Sequence, residues 1–152
     1  MNELDLFLMR YFRDTYLADM KGCTVLDVGS RQCSRQPTFR ELFAEYQYTG
    51  MDLLPGPNID IVGYENLGVY DVLISGNVME HVKHPWDWLK SLVPYFTHYI
   101  CIIVPNTHRE HREPYDTYRY FPDGMVDLFE YAGIEVVEAR RDKHETIGIG
   151  RK

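Results

Sequence analysis

The chain is poor in cysteine, in positive charge and in long apolar runs, and each shortage excludes a class of protein. Its three cysteines, Cys23, Cys33 and Cys101, cannot all pair with one another, and their spacing fits no Cys-x-x-Cys metal or redox pattern. Free thiols in a reducing compartment are expected. Lys and Arg number 16 against 23 Asp and Glu, a net charge of −7. That balance repels a phosphate backbone at long range and disfavours nucleic acid as a partner. No apolar run approaches the ~20 residues needed to cross a bilayer, so no membrane partner is expected. Met1-Asn2-Glu3-Leu4-Asp5 is acidic where a secretion signal is basic, which predicts a cytosolic protein.

What is present suits one α/β domain over residues 1–152. Hydrophobic residues make up 45% of the chain and charged residues 26%, enough apolar material for a core without a disulfide or metal staple. A leading helix falls within residues 1–20, where Leu4, Leu8, Tyr11 or Phe12, and Tyr16 recur at helical spacing until Lys21-Gly22 stops it. Short β-branched and apolar runs follow at 24–28, 48–52, 59–62, 72–75, 99–104, 134–139 and 146–149. The 72–75 and 99–104 runs are continuously apolar, as in strands covered on both faces. Helical patterns lie between them at 38–46, 85–93 and 123–133, the second opening on Pro85 and the third closing on Gly133. This alternation predicts a Rossmann-like α/β fold, an open, mostly parallel seven-stranded sheet with helices on both faces. Pro55-Gly56-Pro57 forces a turn, and only Glu65-Asn66-Leu67-Gly68 separates two strands, too little for a crossover helix.

In open α/β sheets ligands sit outside the carboxyl ends of the strands. Asp27 ends the first predicted strand, and Gly29 lets the chain turn there without a Cβ in the way. Asp52 ends the second, where a carboxylate can accept both hydroxyls of a ribose. A dinucleotide would need a Gly-x-Gly-x-x-Gly turn to cradle its pyrophosphate. The turn here reads Gly29-Ser30-Arg31-Gln32-Cys33-Ser34, with one glycine, which argues against a dinucleotide-dependent oxidoreductase. His108 and His111 would form a metal pair on a helix, but Pro105 and Pro114 flank that segment, so no metal is expected.

The segment Tyr70-Asp71-Val72-Leu73-Ile74-Ser75-Gly76-Asn77-Val78-Met79-Glu80-His81-Val82 followed by Pro85 resembles the fourth-strand region of class I S-adenosylmethionine-dependent methyltransferases. Val25-Leu26-Asp27-Val28-Gly29-Ser30 and Tyr48-Thr49-Gly50-Met51-Asp52 are similar to the first two strands of that family. The run from His111 to Tyr120 resembles a His-Pro-Asp-Arg stretch found after the fifth strand in small members, which often act in glycan or small-metabolite pathways. The resemblance implies S-adenosylmethionine as cofactor, a ligand with a positive sulfonium and no phosphate. It implies that Asp27, Gly29 and Ser30 line the methionine end, that Asp52 holds the ribose with Met51 or Leu53 against the adenine, and that Asn77 and Glu80 complete the wall. It implies a small-molecule or sugar acceptor. His81 and His111 are then the candidate bases, since a histidine takes up a proton near neutral pH, and His108, Asp116 and Arg119 the candidate acceptor contacts. The alternative is a catalytically silent methyltransferase fold used as a binding module or partner subunit.

Overall fold

The computed structural model describes residues 2–33, 37–112 and 114–152; Ser34 of the one-glycine turn and Glu113 of the 111–120 stretch lie outside them. Helix α1 (Glu3–Tyr16) starts at a reciprocal cap. The Asn2 side chain accepts from the backbone N–H of Leu4 (2.8 Å) and Asp5 (3.0 Å), and the Asp5 carboxylate accepts from Asn2 N–H (2.6 Å). Four parallel strands then assemble in the order of their edges: β1 (Thr24–Val28), β2 (Gln47–Asp52), β3 (Ile61–Val62) and β4 (Tyr70–Gly76). Helix α2 (Pro85–Leu92) leads to β5 (Phe96–Pro105), and α3 (Pro122–Ala132) to the antiparallel pair β6 (Glu135–Asp142) and β7 (Glu145–Arg151).

These form one seven-stranded sheet of order β3-β2-β1-β4-β5-β7-β6, parallel except at β7 and β6's shared ladder and the β5–β7 pairing. The predicted sheet, its openness and its helices on both faces are all observed. One face packs Leu8, Met9 and Phe12 of α1 with Phe39 and Phe43 against Val25, Val72, Ile74 and Ile147. The other packs Leu89 and Leu92 of α2 with Met125 and Phe129 of α3 against Leu26, Leu73, Ile100 and Ile102. Beta-7 alternates isoleucine and glycine for this reason: Ile147 and Ile149 fill the first face, while a Cβ at Gly148 would stand 2.5 Å from Met125 and one at Gly150 would stand 3.0 Å from Phe129. Strand order reverses between β1 and β4, which places the switch point of the sheet at the ends of those two strands.

Three elements differ from expectation. The helix expected over 38–46 is a single 3₁₀ run, Phe39–Phe43, because β2 begins at Gln47 and five residues fall short of a cooperative α-helix. The strand expected over 59–62 is reduced to Ile61–Val62, since Asn58 takes a left-handed φ of 71° just before it and Gly63 one of 77° just after. Beta-6 runs on past 139 to Asp142, its Arg140 paired with Glu138 (2.5 Å) and Asp142 (3.2 Å) along an edge strand, where charge is tolerated and discourages further pairing. The 63–69 link carries no helix, as its length required.

Candidate functional site

The carboxyl ends of β1 and β2 carry the first group of candidate residues. Parallel register sets Asp27 opposite Gly50, so Tyr48, two residues earlier on the same face, reaches Asp27 diagonally. Its phenol donates to Asp27 Oδ2. Asp27 is 2% exposed, and burial pushes its carboxyl up to about 7, the Tyr48 bond opposing. Gly29 adopts φ +81°, and a Cβ there would lie 2.2 Å from Val78 Cγ2. The turn is hooked to β2 by Gly29 N–H (2.8 Å) and Ser30 N–H (3.1 Å), both donating to Met51 O. Asn58 locks it from the other side, its amide donating to Ser30 O at 2.8 Å. Arg40 in turn donates to Asn58 Oδ1 (2.6 Å) and Asp60 (2.6 Å).

Asp52 lies at the mouth of this turn. Its Oδ1 accepts from Leu54 N–H at 3.0 Å and lies 3.7 Å from Arg31 Nε. Met51 is buried beneath, while Leu53 is 65% exposed at the rim.

The second group gathers beyond β4. Asn77 has φ 55°; its backbone N–H donates to Ile103 O at 2.9 Å, and its side-chain amide is committed to Asp5 Oδ2 (2.8 Å). The 3₁₀ turn Met79–His81 then places Glu80 fully out of solvent. Among the described residues neither Glu80 carboxylate oxygen has a hydrogen-bond partner. Burial pushes its carboxyl up to about 8, with Glu145 and Asp116 adding to the rise. His81 Nδ1 lies 2.5 Å from Tyr115 O. A carbonyl only accepts, so Nδ1 is the donor there; Nε2 stands 3.6 Å from Glu80 Oε1.

His111 Nε2 approaches the same oxygen at 3.9 Å, while its Nδ1 lies 3.3 Å from Arg109 O and 3.6 Å from Asp116 Oδ2. Arg119 clamps Asp116 with two bonds of 2.5 and 2.7 Å and holds His108 O (2.8 Å) and Arg109 O (3.0 Å). That pairing holds the Asp116 carboxyl well below the usual carboxylate range. Thr117 fastens the loop to the turn, its N–H and hydroxyl both donating to Glu80 O at 2.8 Å. An open cleft of about 270 Å³ runs beside it, lined by His108, Glu110, Asp116, Thr117, Tyr118 and Arg119.

The predicted residues therefore fall into two neighbourhoods, Asp27–Ser30 with Met51–Leu53, and Glu80–His81 with His108, His111, Asp116 and Arg119. Sequence reasoning missed Tyr48, Arg40 and Asn58, which occupy the polar groups of the first, and Thr117, which assembles the second. Only Tyr48 left a signal, its period-two placement on the face of Asp27. No helix forms over 108–111, as the flanking prolines required.

No family model and no curated protein sequence matches the chain. Solved structures do match it in fold. A Burkholderia thailandensis 1,6-didemethyltoxoflavin-N1-methyltransferase, solved with bound 1,6-didemethyltoxoflavin and S-adenosylhomocysteine, superposes with a TM-score of 0.73 at 16% identity, covering 98% of this chain and 80% of that one. Magnesium protoporphyrin IX methyltransferase from Synechocystis PCC 6803, with bound S-adenosylhomocysteine, gives 0.69 at 10% identity over 98% and 82%. An Aquifex aeolicus S-adenosylmethionine-dependent methyltransferase gives 0.59 at 14% identity over 99% and 98%. The chain thus has the fold of class I methyltransferases.

Proposed function

We propose that the chain is an S-adenosylmethionine-dependent methyltransferase that acts in the cytosol on a small-molecule or sugar acceptor. The observation that carries this reading is the pairing of the Gly29 turn with Asp52 on neighbouring strand ends at the switch point, without a glycine-rich phosphate cradle. The residues present fit the cofactor: the Asp52 carboxylate can accept both ribose hydroxyls, and a turn with one glycine suits a ligand without phosphate. Asp52 would hold the ribose hydroxyls, Met51 and Leu53 the adenine, and Asp27, Gly29 and Ser30 the methionine end. Glu80 would close the wall, with Asn77 supporting it through Asp5. When bound there, S-adenosylmethionine supplies an electrophilic methyl group on a positively charged sulfur.

The chain's own work is alignment and proton removal. His108, Asp116 and Arg119 orient the acceptor in the cleft. His81 and His111 draw off its proton, His81 through Nε2, since its Nδ1 is held by the Tyr115 carbonyl. The freed lone pair of the acceptor then forms the new bond to carbon.

Calorimetric titration tests the reading. Both S-adenosylmethionine and S-adenosylhomocysteine should bind saturably and NAD should not. Asp52→Ala should weaken the adenosyl ligands by about 10–100-fold, the worth of hydrogen bonds to a charged group. Absence of binding at millimolar ligand overturns the proposal.

A specific contact favours a second reading, the catalytically silent binding module: Arg31 lies 3.7 Å from Asp52, the carboxylate assigned to the ribose. A labelled-methyl screen over sugars, small acids and RNA separates the two, since a silent module binds cofactor or partner without transfer.

A further inference from the structure

We propose that Glu80, His81 and His111 form a binding site for a divalent transition-metal ion at the acceptor side of the cleft. One ligand atom from each lies within 4.8 Å of the others. Two imidazoles and a carboxylate are a donor set that suits Zn²⁺, Co²⁺ or Fe²⁺ rather than Mg²⁺ or Ca²⁺, which prefer all-oxygen ligands.

Two independent observations point to a ligand. Both Glu80 oxygens are buried without a hydrogen-bond partner among the described residues, an arrangement that native interiors avoid unless an ion or water completes it. Both histidines are also oriented as metal ligands are. Their Nδ1 atoms lie against backbone carbonyls, Tyr115 O for His81 and Arg109 O for His111, with Asp116 Oδ2 behind the latter. That leaves both Nε2 atoms turned on one oxygen, Glu80 Oε1, at 3.6 and 3.9 Å. Outer partners of this kind fix the tautomer and orientation of a ligating imidazole.

The spacing is close to what an ion needs. Bonds of about 2.0–2.2 Å set neighbouring ligand atoms about 3.0–3.5 Å apart, so the Glu80–imidazole pairs at 3.6 and 3.9 Å must close by about half an ångström and the full set, within 4.8 Å, by at most about 1.5–2 Å. His111 can supply that movement, standing on a loop and partly exposed.

Three protein ligands leave positions open, which is the arrangement of catalytic rather than structural ions. This use of the site rests on the methyltransferase reading; ion binding does not. An acceptor hydroxyl on the ion releases its proton to water more readily, keeping the electron pair on oxygen. That pair forms the bond to the methyl carbon as the carbon–sulfur bond breaks, its electrons leaving with sulfur. Without the ion His81 and His111 accept that proton themselves; with it bound they act through the ion.

Titration of metal-stripped protein with Co²⁺, followed by visible absorption, tests the site, with Mg²⁺ as comparison. One equivalent of Co²⁺ should bind, and Mg²⁺ should not displace it. His111→Ala should weaken binding at least tenfold while leaving the melting temperature unchanged, because the side chain sits on the loop surface. His81→Ala should act in the same direction, and Glu80→Gln should abolish binding. No Co²⁺ binding by the wild type overturns the inference, and so does binding that survives both His111→Ala and Glu80→Gln. S-adenosylhomocysteine binding is measured separately: its loss with Co²⁺ binding intact would sink the methyltransferase reading and leave the ion site standing.

Discussion

Asp27 and Glu80 are both carboxyl groups buried at the carboxyl edge of the sheet, yet their surroundings differ. Asp27 has the Tyr48 phenol, and around it Arg40, Asn58 and Asp60 form a closed polar lattice. Neither carboxylate oxygen of Glu80 has a hydrogen-bond partner among the described residues, only two imidazoles beyond bonding distance. Both have carboxyls pushed up by burial, so burial does not distinguish them. Satisfaction does. On the β1–β2 side the buried carboxyl is bonded and the lattice around it shapes a turn, in which Arg31 Nε is the one buried side-chain atom without a hydrogen-bond partner among the described residues; on the β4–β5 side the buried carboxyl itself is left open.

The comparison can be broken in four ways. The largest effect should come from Gly29→Ala. A non-glycine residue at φ +81° costs about 1–2 kcal/mol, and crowding Val78 adds about 1–3 kcal/mol. Urea denaturation should show a loss near the sum, with adenosyl-ligand binding falling as the turn is displaced. Next is Tyr48→Phe, which strips Asp27 of its donor and should cost about 1–3 kcal/mol. Glu80→Gln is its mirror: with no partner to lose, stability should hold or rise slightly at pH 8. Equal losses in the two variants would erase the distinction drawn between the two sides.

The third is pH dependence. Asp27 holds its proton to about pH 7 in the folded chain, whereas the unfolded chain releases it near the ordinary carboxyl value of about 4. Its contribution to stability is therefore complete below about pH 4 and is lost as pH rises through about 7. Asp27→Asn carries no such proton and should flatten the fall in melting temperature by a few degrees over that window. An unchanged slope would show that Asp27 is not the buried acid described. The smallest effect is Arg31→Ala, which frees Asp52 and should tighten S-adenosylhomocysteine by a few-fold, as expected for a partly exposed ion pair. Weaker binding would instead make Arg31 a cofactor contact.

Much of this was legible in the residues. Alternating apolar runs and helical stripes announce the sheet, and the glycine after Asp27 and the Glu80-His81 segment mark two strand ends worth watching. The 38–46 helix was misread because periodicity counts apolar positions without knowing that β2 must begin at Gln47. The loop histidines form no helical pair, as the flanking prolines implied; His111 packs on His108, 5.4 Å between ring centroids, and also meets His81 of the 79–81 turn at 5.1 Å, a contact that no local pattern signals. Thr117 makes that meeting possible by binding the Glu80 carbonyl twice, and a threonine in a loop carries no sign of it.

The sequence alone determined which residues are buried and on which face, because burial follows a local period that the chain carries within each element. Only the tertiary structure decided which buried carboxyl is satisfied and which is not. Asp27 lies near the end of β1 and Glu80 in the turn after β4, and what each carboxyl meets comes from a segment placed by sheet register or loop docking. A hydrogen bond requires atoms to meet within about 3 Å, and that distance is set by the packing of the whole sheet rather than by any stretch of the chain.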